Sequence, residues 1–193
     1  MAERFALLLL IVVGEGFFKL VITLSNVGVD KVNLDVFVNY MIGGFALFAM
    51  AWIYFDFAGN GKPRNTGNRT MVQWTLSHLF LMLSAVCVGV ALSAEVKIGF
   101  WDHYPLKYAV LGCFGLSSYL YCLLLIQDVI EERAAHRFAT AKIRMFGIAM
   151  SFLTLALVSF VPALVGNFLW GMALFSQIII PATNAYRAFS SEE

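Results

Sequence analysis

Four ionisable residues of the chain lie inside or at the ends of long apolar stretches: Glu15, Lys19, Asp56 and His78. A charged group inside a membrane is costly unless it is paired or hydrated. Residues of this kind line ion paths, relay protons or fix the packing of neighbouring helices. We therefore take these four as the candidate functional residues.

Glu15 lies between Gly14 and Gly16, near the middle of the first apolar stretch. Glycines leave room for a neighbouring helix or for water beside the carboxylate. Lys19 follows four residues later on the same helical face, where the two side chains can form an ion pair. The pattern is typical either of a proton or ion site or of an ion pair that fixes packing, and the lysine could instead extend to the membrane surface.

Asp56 ends the second apolar stretch, and His78 lies one turn into the third, which starts on the same side of the membrane. We therefore expect the two side chains to lie close together. A carboxylate that accepts a hydrogen bond from an imidazole suits a proton relay or a metal ligand pair. The alternatives are a solvated carboxylate at Asp56 and, at His78, a bond to a backbone carbonyl or to Ser77.

Other classes of chemistry have no support in the sequence. No HExxH, P-loop, Rossmann glycine pattern or GxSxG occurs. The three cysteines, Cys87, Cys113 and Cys122, lie in apolar stretches without ligand spacing, and a net charge of +1 gives no basic surface for nucleic acid. We predict no catalytic residue, no metal, no cofactor and no nucleic-acid partner, and the sequence does not indicate whether a lipid or pigment binds.

The composition is that of a membrane protein. Hydrophobic residues make up 61% of the chain and charged residues 13%, whereas charged residues are about a quarter of a soluble domain. A membrane span needs roughly 20 apolar residues. We predict one domain, residues 1–193, an all-α polytopic integral membrane bundle of six transmembrane helices. The predicted spans are 5–24, 36–55, 74–94, 108–126, 145–164 and 168–189.

Two connections have distinct character. Residues 165–167 are all that separates the last two spans, so a tight hairpin is expected there. Residues 127–144 are charged and lack glycine and proline, which predicts a continuation of the fourth helix or a surface helix. Pro162 and Pro181 fall inside the predicted fifth and sixth spans, where each would kink its helix.

Basic residues orient the bundle, because lysine and arginine near span ends stay on the cytoplasmic side. Nine basic residues lie on one predicted side and three on the other, which places both termini in the cytoplasm. The nine are Arg4, Lys62, Arg64, Arg69, Arg133, Arg137, Lys142, Arg144 and Arg187, and the three are Lys31, Lys97 and Lys107.

Three stretches together resemble the bacterial low-temperature-requirement A family: ERF running to Gly14-Glu15, WIYFD at residues 52–56, and His78-Leu79 in a span that ends at Glu95. The resemblance implies a shared polar set. Its members are Arg4, Glu15, Asp56, His78 and Glu95. Phe80 stands where the family has proline and Ala6 where it has glycine, and the chain resembles the C-terminal half of longer members.

Two functions remain open for such a protein, which we expect in the bacterial inner membrane. One is a small transporter or channel that uses Glu15, Asp56 and His78 along a hydrated path between helices. The other is an accessory subunit whose polar residues fix packing within a larger membrane complex. Beside the lipid bilayer, the expected partner is a second copy, which would rebuild a two-repeat architecture, or other subunits. A metal-dependent membrane enzyme ranks third, since few ligands are visible.

Overall fold

The computed structural model describes residues 2–59, 61–131 and 138–190. Within these ranges the chain is all-α, as predicted, and contains no strand beyond an isolated bridge between Pro63 and Ile130. Of the six α-helices in these ranges, five, all except α5, are long and apolar enough to cross a membrane, whereas we predicted six spans. The helices are α1 (Ala2–Val27), α2 (Leu34–Phe57), α3 (Asn68–Glu95), α4 (Leu106–Val129), α5 (Ala141–Leu157) and α6 (Ala163–Ser190).

The helices pack in a ring in the order α1, α3, α4, α5, α6 and α2, and α2 also contacts α3 and α4 across it. Small residues allow a close crossing of α1 and α3: a Cβ added to Gly89 of α3 would lie 3.4 Å from the Cα of Gly16 in α1. Consecutive helices are antiparallel. We call the end where α1, α3 and α5 begin the proximal end and the opposite end the distal end.

The hairpin between α5 and α6 differs from the prediction. It lies at residues 158–162, whereas residues 165–167 belong to the first turns of α6. Pro162 explains the difference, because it has no N–H to continue α5, and its carbonyl accepts the N–H groups of Val165 at 3.0 Å and Gly166 at 3.3 Å. Pro162 therefore starts α6 instead of kinking a span, while Pro181 does lie inside α6.

The segment after α4 also departs from the prediction, because α4 ends at Val129 and Ile130 is extended (φ −93°, ψ 161°). Its strand-like backbone pairs with the α2–α3 connection: Arg64 N donates to the Val129 carbonyl at 2.8 Å and Glu131 N to that of Lys62 at 2.9 Å. The fourth helix thus does not continue through residue 130. Of the segment 127–144, residues 127–129 belong to α4 and residues 141–144 to α5, while residues 132–137 lie outside the described residues.

Helix α5 is the short member of the bundle. Its 17 residues span about 25 Å, less than the roughly 30 Å of a bilayer's hydrocarbon core. The Ser151 hydroxyl donates to the Cys113 carbonyl of α4 at 3.3 Å, which aligns the distal parts of the two helices. In this register the first residues of α5 do not reach the level of the proximal end of α4.

Candidate functional site

Helix α3 carries a buried ionisable residue toward each of its ends. His78, in the proximal half, is fully buried, and Glu95, the last residue of the helix, is 1% exposed. The 17 positions between them correspond to about 25 Å along the helix. The buried side chains of α3 between these two residues include Leu81, Met82 and Val88. Each ionisable residue is therefore the centre of a separate cluster.

The proximal cluster consists of rings around His78. The imidazole stacks on Phe5 with 4.7 Å between centroids, lies 4.7 Å from Trp74, and meets Tyr54 edge-on at 5.9 Å. Phe5, Tyr54 and His78 come from α1, α2 and α3, one from each of the three stretches that carry the family resemblance. The motifs thus converge on one buried place.

The hydrogen bonds of this cluster determine its chemistry. His78 Nδ1 lies 2.7 Å from the Trp74 carbonyl oxygen, which only accepts, so Nδ1 donates and Nε2 carries the lone pair of the neutral ring. His78 Nε2, Tyr54 Oη and Trp74 Nε1 are buried without a hydrogen-bond partner among the described residues. One acceptor and two donors therefore remain unpaired in an apolar interior, where such groups are normally satisfied.

Asp56 does not join this cluster. Its side chain is exposed at the end of α2, where Oδ2 accepts a hydrogen bond from Trp52 Nε1 of the same helix at 2.7 Å. His78 bonds the Trp74 carbonyl instead. Within the described ranges no hydrogen bond joins Asp56 to His78, so the expected pair is not found.

The distal cluster joins α2, α3 and α6 through two asparagines. Asn39 Nδ2 donates to the carbonyls of Glu95, at 3.2 Å, and Ile98, at 2.8 Å. Asn167 Nδ2 donates to Asn39 Oδ1 at 3.4 Å. Both asparagines are buried, at 1% and 6% exposure. This network holds the end of α3 against the start of α6.

A cavity of about 50 Å³ lies beside this network, between α2, α3, α4 and α6. Its lining is apolar except for Glu95, Asn167 and the indole of Trp170. Glu95 Oε1, Asn167 Oδ1 and Trp170 Nε1 are buried and have no hydrogen-bond partner among the described residues. At about 10–15 Å³ for each water centre, the cavity has room for a few water-sized molecules.

Trp170 is positioned from two sides. The missing side chain of Gly112 in α4 accommodates the indole, since a Cβ there would lie 2.5 Å from Trp170 Cη2. The Tyr104 ring meets it edge-on at 5.5 Å, and the Tyr104 hydroxyl donates to the Ala91 carbonyl at 3.0 Å. Burial, with a smaller contribution from the Glu95 charge, raises the pKa of Tyr104 above its usual value, so the phenol stays a neutral donor.

Arg144 is the residue that sequence reasoning placed wrongly. We expected it in a polar segment at the membrane surface, but it is fully buried on α5 because that helix begins deep in the bundle. Its Nη1 donates to Gln177 Oε1 of α6 at 3.0 Å, and its guanidinium lies 4.6 Å from the centroid of the Phe57 ring. Nε and Nη2 are unpartnered within the described ranges. Its apolar neighbours in sequence, Ile143 and Met145, were the available signal.

The remaining candidates lie on the outside of the bundle. Glu15 and Lys19 are exposed, and neither forms an ion pair or hydrogen bond with any residue that the structure describes. Gly16 faces Gly89 as a close helix contact, whereas Gly14 has no atom within 4 Å of an added Cβ. Arg4 is exposed at the start of α1.

Among the described residues, no group of three or more histidine, cysteine or acidic side chains could hold a metal ion.

Comparison of the chain with known proteins identifies it by its family alone. No curated protein and no solved structure matches it. The family model of the bacterial low temperature requirement A protein (LtrA) matches residues 1–187, almost the whole length. The chain is a multi-pass integral membrane protein that belongs to the LtrA family.

Proposed function

We propose that this LtrA protein is a carrier for a small cation, which binds beside Glu95 in the distal cavity. The observation that carries the proposal is the buried and unpaired Glu95 Oε1, on a residue that lines that cavity. A carboxylate buried without a basic partner needs a proton, a hydrogen-bond donor such as water, or another cation to stabilise it. Asn167 Oδ1 adds a second oxygen acceptor, and carboxylate and amide oxygens suit hard cations.

A carrier fits the geometry better than an open channel. The buried residues of α3 between Glu95 and His78 are mostly apolar, and the two buried serines among them, Ser84 and Ser93, donate to backbone carbonyls of their own helix. Movement of helices would have to connect the cavity to the proximal end, as in transporters that rock around a central site. This differs from our expectation that Glu15, Asp56 and His78 line one path, since Glu15 and Asp56 are exposed on the outside of the bundle.

We further propose that the proximal end faces the cytoplasm, with both termini, and that the protein resides in the bacterial inner membrane. The support is the excess of lysine and arginine near the proximal end. In that orientation the Glu95 cavity lies near the outer surface, and the cation would enter from outside.

Purified protein in lipid nanodiscs tests the cation site. Tryptophan fluorescence is recorded during titration with sodium, potassium or ammonium chloride at constant ionic strength set by choline chloride. We expect saturable binding of one of these cations, weakened at least about tenfold in Glu95→Gln, since a cation–carboxylate contact in a buried site is worth more than about 1.4 kcal/mol. Glu3→Gln, the same change at an exposed position of α1, should bind as the wild type does.

Uptake of the same cation into proteoliposomes then tests transport, with Glu95→Gln inactive and Glu3→Gln active. Equal affinity of Glu95→Gln and wild type for the cation would contradict the site. Binding of the cation without uptake would contradict transport and would leave cation binding as the function of the site.

The alternative, an accessory subunit of a larger complex, is favoured by the outward-facing Glu15 and Lys19, which a partner could cover. Purification from native membranes in mild detergent distinguishes the two. Stoichiometric co-migration of other subunits would favour the accessory function, and its absence would favour the carrier.

A further inference from the structure

We infer that two copies of this chain associate through the outer face of α1, with Glu15 of each copy paired to Lys19 of the other. This inference does not depend on the proposed cation site. It rests on charged side chains that the isolated chain leaves unpaired at mid-membrane depth.

Helix α1 is the least covered of the five helices that are long and apolar enough to cross a membrane. Among the five helices that can span a membrane, its apolar segment has the smallest buried share, 17%. Glu15 is the fourteenth of its 26 residues, so about 20 Å of helix separate it from one end and about 18 Å from the other. A glutamate side chain cannot reach the membrane surface over that distance. Something other than lipid must therefore contact it.

The exposed face of α1 has the pattern of a helix–helix interface. Leu8, Ile11, Glu15, Phe18 and Ile22 are all exposed and follow spacings of three and four residues, which place them in one stripe along the helix. The buried face of α1 includes Ala6, Leu9, Leu20 and Thr23. Stripe residues lie two positions after buried ones, as Ile11 does after Leu9 and Ile22 after Leu20. At about 100° per residue, two positions rotate a side chain by about 200°, so the two faces are nearly opposite.

Charge complementarity selects a second copy as the partner. A two-fold axis along the membrane normal brings the same stripe of both copies together at equal depth. The two Glu15 side chains then lie at the same depth, and each is about 6 Å along the axis from Lys19 of the other copy, a distance that the side chains can bridge. Both pairs form at once, and neither copy retains an unpaired charge.

A groove of about 490 Å³ between α1 and α2 lies to one side of the stripe, without a stripe residue in its lining, and leaves space for side chains of the partner. Gly14, Phe17, Phe48 and Trp52 are among the residues that line it. The open space above Gly14 keeps the backbone of α1 accessible on this side. A closely packed helix pair is therefore sterically feasible at the level of Glu15.

Charge exchange tests the inference, because a pair between copies can be rescued in trans and a pair within one helix cannot. The variants are Glu15→Lys, Lys19→Glu and the double exchange, each produced with two different affinity tags and co-purified. We expect each single variant to lose at least about tenfold of self-association, because it places like charges together. The double exchange should restore it, and coexpression of the two single variants should give a mixed dimer.

Crosslinking supplies a second measurement that leaves the charges intact. Ile11→Cys, with Cys87, Cys113 and Cys122 replaced by alanine, should form a disulfide dimer in membranes, whereas Leu9→Cys on the buried face should not. Failure of the two single variants to pair in trans while both are present in the membrane would overturn the inference. So would an Ile11→Cys protein that does not crosslink, whether or not the charge variants accumulate.

Discussion

At the scale of residues, the chain concentrates its unpaired polar atoms in three buried places. Among the described residues, eight of the ten such buried side-chain atoms lie around His78, beside Glu95 and at Arg144, and the other two are Ser117 Oγ and Gln127 Nε2. The interior of a membrane bundle offers no bulk water, so each group needs a partner or retains an energetic penalty. The Arg144 guanidinium is partly compensated by Gln177 and by the face of Phe57. Glu95 Oε1 has no such compensation among the described residues, which is why the proposed function depends on it.

Gly112 offers a prediction at this scale. In Gly112→Ala the new Cβ would lie 2.5 Å from Trp170 Cη2, so the indole must move out of its place beside the Glu95 cavity. We expect a loss of about 1–3 kcal/mol in stability, the usual cost of overpacking, and a shift of the tryptophan emission. Thermal unfolding and fluorescence in detergent measure both.

Gly171→Ala is the matched control, because the nearest atom to its added Cβ is Phe175 Cδ2 at an ordinary 4.0 Å. Alanine is the better helix former, so this change should be neutral or stabilising by up to about 1 kcal/mol. Equal melting temperatures for Gly112→Ala and the wild type, with unchanged emission, would show that Trp170 is not held against α4.

At the scale of elements, hydrophobic length predicted helices well and their ends poorly. The first four helices contain their predicted spans and extend them by one to six residues at each end, because apolar runs of this length admit little else in a membrane. The last hairpin was misplaced because Gly166 and Asn167 resemble turn residues. The missing N–H of Pro162 determines the break instead. Burial of Arg144 depends on where α5 begins, and tertiary packing sets that position.

The position of the α5–α6 hairpin can be checked by thiol labelling in a protein whose three natural cysteines are replaced by alanine. Phe160 is 81% exposed in the connection, whereas Asn167 is 6% exposed and hydrogen-bonded to Asn39. In detergent-permeabilised membranes, Phe160→Cys should therefore react with a hydrophilic maleimide at least about tenfold faster than Asn167→Cys, because opening a packed helix end costs more than about 1.4 kcal/mol. Faster labelling of Asn167→Cys than of Phe160→Cys would show that the hairpin lies at residues 165–167, as the sequence predicted.

The candidate site was predicted only in part. His78 could be recognised from its apolar surroundings, and its bond to a backbone carbonyl was one of the alternatives that we expected. Glu95 entered only through the resemblance, because at the end of a span it looks like any interfacial carboxylate. Asn39, Asn167 and Trp170 gave no signal, since their importance comes from the way four helices enclose one cavity. Contacts between distant segments of this kind are not encoded in local hydropathy.

At the scale of the whole molecule, orientation decides which cluster faces which side of the membrane. Because Arg144 is buried, it no longer belongs to the surface charges, and the count of basic residues becomes eight against three. That ratio still favours a cytoplasmic proximal end. The pairing of the α2–α3 connection with the segment after α4 gathers several of these residues at one end, including Lys62 and Arg64.

Reporter fusions test this orientation directly. Truncation after Arg64, in the connection between α2 and α3, should give a cytoplasmic signal from a phosphatase–fluorescent protein reporter pair. Truncation after Asp102, between α3 and α4, should give an external one. The two sites are separated by α3 alone, so a correct fold requires opposite signals. An external signal after Arg64 combined with a cytoplasmic one after Asp102 would invert the bundle. The cavity beside Glu95 would then open toward the cytoplasm, and the proposed carrier would bind its cation from inside the cell.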